Sequence, residues 1–328
     1  MQKPKRQLYP VLFTNVTIDD HFWSPRLKIN RERSIPHIYN KLEETGRLAA
    51  YKLDWKPGME YMPHQFWDSD VAKWVEAASY SLATHPDPTL EARVDGVIAL
   101  VASAQQADGY LNPHYTVVEP QRRWKDLRNG HELYCAGHLI EAGVAHFQAT
   151  EKRTLLNVMC RYADYIESVF GIEAGKKRGY CGHEEIELAL VKLYHATGEQ
   201  RYLQLSRYFI DERGRRPHYF DQEDSAAIGG KEYHQAHLPV REQSEVVGHA
   251  VRAMYLYSAM ADLAAETGDE SLFEACKRLW QHLCSKRMFI TGGIGSSMYN
   301  EGFTSDYDLP NDTAYAETCA AIGLVLWS

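Results

Sequence analysis

An all-α fold, built as a ring of antiparallel helical hairpins, is what this sequence predicts. Three observations carry that prediction. Apolar residues recur at three- and four-residue spacing along most of the chain, short Thr-containing turns alternate with long Gly- and aromatic-rich loops, and a single stretch reads as extended. At 328 residues, 45% hydrophobic and 24% charged, the chain lies in the globular range and can bury a large core as one unit.

The extended stretch comes first. Residues 7–25, QLYPVLFTNVTIDDHFWSP, mix β-branched and aromatic residues between prolines and predict one short extended segment packed on the outside. Helical periodicity then predicts helices over 35–48, 66–82, 90–104, 133–147, 155–170, 186–195, 202–211, 246–265, 272–284 and 313–327. Four breaks, SLATHPDPTLEA, QATEKRTLLNV, HATGEQRYLQL and AETGDESLFEA, place a Thr and a polar turn before a leucine-bearing helix, so each joins two antiparallel neighbours.

Between these hairpins lie long loops: ADGYLNPHYTVVEPQRRW, GYCGHEE, residues 213–239 and TGGIGSSMYNEGFTSDYDLPND. They should share one face of the ring, where function concentrates. Helices starting near 66, 133, 186, 246 and 313 follow the long loops and are expected to be inner; the others are outer. That count is one hairpin short of a six-hairpin toroid. The chain ends at Trp327 and Ser328 inside an apolar helical run, without a stop signal, which predicts a fragment, or a prematurely ended copy, of a longer protein. An incomplete ring exposes inner-helix apolar surface and is expected to recruit a partner, a second copy of the chain included.

A formal charge of -8 offers no phosphate-neutralising surface, so nucleic acid is not an expected partner. The start, MQKPKRQLYPVLF, lacks an apolar core of signal-peptide length, and no apolar run is long enough to span a bilayer. A cytoplasmic location without membrane contact is expected. The cysteines (Cys135, Cys160, Cys181, Cys276, Cys284 and Cys319) are too sparse for a disulfide scaffold.

The chemistry-bearing residues cluster near the C-terminal end. Glu317 and Cys319 stand two apart in TAYAETCAAIG, among small and apolar residues. A buried helix cysteine is the plain reading of Cys319, but a carboxylate there needs a partner, and carboxylate oxygen and thiolate sulfur are both zinc ligands. No CxxC or HExxH completes such a site. Glu301, in SSMYNEGFTSDYDLP, is either a solvated loop residue or a proton donor tuned by aromatic neighbours.

His131, His183 and His249 each follow a glycine at or near the start of an inner helix. Alone, each reads as a capping or core histidine; together, at equivalent places of a ring, they converge on its axis as a substrate-binding set. Trp67, Trp74, Tyr110, Tyr115 and Trp124 can stack on a sugar, although most aromatics in such helices are core. Asp68 and Asp70, flanking a helix start, are expected to cap it.

HQFWDSDVAKW, GYLNPHY, GHELYCAGHLIEA, GHEEIELALVKLY, QSEVVGHAVRAMY, TGGIGS and above all YDLPNDTAYAETCA resemble the glycoside hydrolase family 127 enzymes, the β-L-arabinofuranosidases, over nearly the whole chain. The resemblance implies an (α/α)6 barrel, incomplete here over 26–328 and preceded by the segment 1–25, with the remaining helices and the β-sandwich domains absent. It implies a retaining glycosidase acting on an arabinofuranose-containing oligosaccharide or glycoside, with a zinc-bound cysteine as nucleophile. Carried onto this sequence, the acid/base falls on Glu301, the first two zinc ligands on Glu317 and Cys319, and sugar hydroxyl contacts on His131, His183 and His249. The family's adjacent cysteine pair, which holds the nucleophile and the other two ligands, has no counterpart in these residues, so weak zinc binding and no turnover are expected of this chain alone. Two other classes compete: a sugar epimerase or isomerase on the same barrel, which needs no metal and thiolate, and an inactive carbohydrate-binding remnant.

Overall fold

A computed structural model describes residues 10–223 and 229–328. Among the described residues every element is helical, and pairing between extended segments is limited to isolated bridges.

The N-terminal region departs from expectation. Residues 10–22 carry one 3-10 turn, Phe13–Asn15, and α1 (Trp23–Ile29) begins inside the stretch expected to be extended; residues 7–9 lie outside the described residues. The reason is local. Asp20 Oδ1 accepts the backbone N–H groups of Phe22, Trp23 and Ser24 at 2.9, 2.5 and 3.1 Å, filling donors that a starting helix leaves open. Pro25 then falls in the first turn, where its missing N–H costs nothing. A π-helical turn, Asn30–Ser34, leads on into α2 (Ile35–Glu44). The expected outer packing survives at Phe13, whose ring meets Tyr80 edge-on at 4.8 Å.

From there the hairpins follow the predicted order: α3 (Trp67–Thr84), α4 (Pro88–Ala104), α5 (Glu132–Thr150), α6 (Thr154–Val169), α7 (Ile186–Thr197), α8 (Gln200–Glu212), α9 (Ala250–Thr267), α10 (Glu270–His282) and α11 (Thr318–Trp327). Helices α3, α5, α7, α9 and α11 pack each against the next and form the inner arc. Burial separates inner from outer. α5 is buried almost all round, from Glu132 to His146, whereas α10 buries only the stripe Leu272, Ala275, Cys276, Leu279 and His282, the spacing of one helix face. Core side chains such as Leu156 and Leu279, with no exposed surface, each contribute about 1.5–3 kcal/mol by leaving water.

The repeated Thr has a physical job. Thr150, Thr197 and Thr267 end their helices by donating Oγ1–H to the carbonyls of His146, Leu193 and Leu263, each at 2.7 Å, which satisfies groups a helix end leaves open. The next residues, Glu151, Gly198 and Gly268, take a left-handed conformation and turn the chain back. Asp87 and Asp269 then cap the following helices.

Two smaller expectations change. No side chain caps α3: Asp70 instead bonds Arg47 Nε at 2.6 Å, and Asp68 is buried against Tyr51. Trp74, Tyr110, Tyr115 and Trp124 are core residues, no more than 5% exposed, and so have no face to offer a sugar; half-buried Trp67 lies under the Arg47 guanidinium.

Candidate active site

The three histidines meet, as their matching positions predict. His131 is the residue before α5 and sits at φ 59°; His183 lies on the segment leading into α7; His249 precedes α9. Their rings form a row, with centroids 6.0 Å apart from His131 to His183 and 5.6 Å from His183 to His249.

Glu301 joins the end of that row because two backbone segments are stitched together. Ala250 N–H donates to Glu301 O at 3.0 Å and Phe303 N–H to Gly248 O at 2.9 Å, forming the bridge between His249 and Gly302. Only glycine fits at 302, since a Cβ there would lie 1.8 Å from Gly248 O. The bridge sets His249 Nε2 2.9 Å from Glu301 Oε2. Glu317 arrives by a second stitch: Ala316 N–H donates to Gly295 O at 2.8 Å, so the TGGIGS loop anchors the entry to α11.

His249, Glu301 and Glu317 thereby offer ligand atoms all within 4.8 Å of one another. Cys319 is exposed on the first turn of α11 and stands outside that group. Glu317 is turned toward Glu301 and His249. Glu317 fits a cation: its Oε2 is buried without a hydrogen-bond partner, and burial followed by the nearby Glu301 charge pushes its carboxyl above the usual range. Two carboxylates and a neutral imidazole at this range form a donor set of the kind that binds divalent metals.

The histidines are neutral. Burial, followed by the Arg252 charge, lowers His131 to about 4, His249 to about 3 and His183 well below its ordinary value. His131 Nδ1 faces Asn129 O at 2.5 Å and His183 Nδ1 faces Glu184 O at 3.0 Å. A neutral ring that donates from Nδ1 keeps Nε2 as an acceptor, so both are prepared to receive a hydroxyl proton.

Several residues at the site escaped the sequence reading. Arg252 is buried, donates Nη1–H to Gly182 O at 2.5 Å and lies over the Tyr233 ring. Its signal was available as a lone charge in an apolar helix, three residues after His249. Tyr134 packs on His183 at 4.3 Å, and its hydroxyl oxygen accepts from Lys73 Nζ at 2.8 Å. Nothing in the sequence joins Lys73 to Tyr134.

Residues 15–328 match the family described as Beta-L-arabinofuranosidase, GH127 catalytic domain. The chain belongs to glycoside hydrolase family 127. Within it, the non-reducing end β-L-arabinofuranosidase of Bifidobacterium longum subsp. longum is 40% identical over 348 aligned residues, covering 96% of this chain and 53% of that protein. Among solved structures, a GH127 β-L-arabinofuranosidase from Geobacillus stearothermophilus T6 superposes with a TM-score of 0.92 at 53% identity, covering 95% of this chain and 52% of that one. A second GH127 β-arabinofuranosidase gives a TM-score of 0.89 at 43% identity, over 97% and 50%. The helical ring is accordingly the (α/α)6 barrel of GH127, and this chain spans about half the length of these relatives. Among the described residues no helix is long and apolar enough to cross a membrane.

Proposed function

We propose that this GH127 chain is the sugar-binding and acid/base part of a retaining glycosidase that releases β-linked L-arabinofuranose in the cytoplasm. The observation that carries the reading is the convergence of His131, His183 and His249 with Glu301 and Glu317 at the loop end of the ring. Neutral His131 and His183 accept hydroxyl protons from the pentose through Nε2. Glu301, held by His249, gives a proton to the departing glycosidic oxygen and later takes one from the incoming water, which is how one carboxyl serves both halves of a retaining reaction. The unpartnered Glu317 oxygen and the exposed Cys319 thiol would hold zinc, and that ion would supply the charge that keeps a neighbouring thiol ionised as nucleophile.

The six cysteines of this chain include no adjacent pair, so the 328 residues are proposed to bind pentose and, weakly, zinc without turnover. Calorimetry with L-arabinose should show binding that His183→Ala weakens by about tenfold, the loss of one hydrogen bond to a neutral group. Equilibrium dialysis with zinc should show uptake that both Glu317→Gln and Cys319→Ser abolish. Uptake that survives Cys319→Ser would put the ion on His249, Glu301 and Glu317 alone and end the zinc-thiolate reading. For the protein that includes the downstream segment, release of arabinose should be lost with Glu301→Gln. Retained activity in a Cys319 variant would favour the epimerase class instead.

A further inference from the structure

Two turns along α5 from His131 lies a second set of ionisable groups that the proposed chemistry does not use. His138 Nδ1 stands 3.1 Å from Glu185 Oε1 and 3.5 Å from Glu141 Oε2, all three side chains are buried, and one nitrogen or carboxylate oxygen of each lies within 4.8 Å of those of the other two. Lys192, on α7, bonds Glu141, and its ammonium is the only cation within ion-pair distance of the two acids among the described residues. α3 contributes Lys73, committed to Tyr134, and Glu76, which accepts from Tyr80 at 3.0 Å. α9 contributes Tyr255, whose ring stands 6.2 Å from His138.

Charge balance then limits what these groups can be. Three carboxyls, on Glu76, Glu141 and Glu185, face two ammonium groups, on Lys73 and Lys192, beside a neutral imidazole. Lys192 serves Glu141, while both Glu185 oxygens are buried without a hydrogen bond, the neutral His138 ring standing beside them without donating. A bare carboxylate in that position costs several kcal/mol, and one proton on it removes the cost by making it a donor to its neighbour.

We propose that Glu141 and Glu185 share one proton, and that this acid pair positions His183 by clamping the segment before α7 onto α5. Glu185 is two residues from His183 and its side chain fills space left by Gly137, where a Cβ would lie 2.5 Å from Glu185 Cγ. Lys192, further along α7, ties the same helix to Glu141 of α5. Between the clamp and the histidine row stands Tyr134, 4.5 Å from the His138 ring and 4.3 Å from the His183 ring, so a shift of the segment moves His183 directly. Electrostatics agrees: burial and then the Glu141 charge push Glu185 well above the carboxylate range, while Lys192 overcomes the burial of Glu141 and holds it low.

The experiment uses this chain with carbon-13 glutamate and reads the infrared stretch of a protonated carboxyl, together with the His183 ring signals by NMR. The wild type should show the protonated stretch near neutral pH, and Glu185→Gln should remove it. Because the amide still donates to Glu141, Glu185→Gln should leave the His183 signals in place, whereas Glu185→Ala should shift them; if the alanine variant does not fold, Lys192→Met supplies the broken clamp. The absence of the stretch, or equal His183 shifts in Glu185→Gln and Glu185→Ala, overturns the proposal. So does stoichiometric zinc uptake that Glu185→Gln abolishes and Glu317→Gln does not, since an ion would then stand where the proton is placed. The consequence for sugar rests on the reading of His183 as a pentose contact: L-arabinose affinity should fall about tenfold or more wherever the His183 signals move. A wild-type chain that binds no L-arabinose but shows the stretch and the NMR pattern would sink that reading and leave the acid pair standing.

Discussion

At the scale of single residues, the site depends on atoms that are missing as much as on those present. Gly302 lets the loop of Glu301 lie against Gly248, and Gly248 itself turns at φ 74°, where a Cβ would lie 2.0 Å from Glu232 O. Gly302→Ala should therefore force the two segments apart, lowering stability by about 1–3 kcal/mol and separating Glu301 from His249. Thermal melting reads the first effect and L-arabinose calorimetry the second; an unchanged affinity would mean that the bridge does not set the site. The left-handed conformations of Glu301 and Ala316, at φ 48° and 42°, add strain at the two places where the chain delivers Glu301 and Glu317. The individual candidates were legible as glycine-flanked histidines and as carboxylates in small-residue surroundings. Their companions Tyr134 and Lys73 were not, because a tyrosine or a lysine on an inner helix has no local mark that distinguishes pocket from core.

Whole elements were the easiest to read, since a 3.6-residue apolar period is a property of the segment itself. All ten predicted helices form, and the inner ones are those that follow long loops. The exception, α1, shows what overrode composition: β-branched and aromatic residues suggested extension, but Asp20 supplies acceptors to three starting N–H groups. Capping of the same kind starts α4, where Asp87 Oδ1 accepts from Thr89 and Leu90 at 2.9 and 3.1 Å. Asp87→Ala should cost about 1 kcal/mol in denaturant unfolding without touching sugar binding, because the cap lies in a turn between helices rather than in the loops that carry the histidines. A loss of affinity in that variant would show that hairpin turns and loop face are coupled.

For the molecule as a whole, stability should fall as the solution becomes alkaline. Burial pushes Glu132, which accepts from Tyr110 OH and Trp124 N–H, up to about 8, and Asp68, buried against Tyr51, up to about 7. Both values exceed those of an unfolded chain, so the folded state binds these protons more tightly. Their contribution is complete below the unfolded values and disappears as pH rises through the folded ones. Melting temperature should thus decline from about pH 5 to about pH 9, and Glu132→Gln should flatten the decline. A wild-type profile that is level over that range would mean these carboxyls are ionised in the folded protein.

By itself the sequence determined that the chain is a helical ring, which helices line its axis, and which histidines and carboxylates stand at the loop end. These are local properties, set by spacing along one chain and by turn chemistry. Only the tertiary structure decided that Glu317 turns to Glu301 and His249, that burial and then the Arg252 charge lower the three histidines, and that Glu141 and Glu185 both stand beside His138 with Lys192 on Glu141. Those outcomes depend on the register in which helices pack across the ring, and a few ångströms there decide whether two charges repel, pair or share a proton.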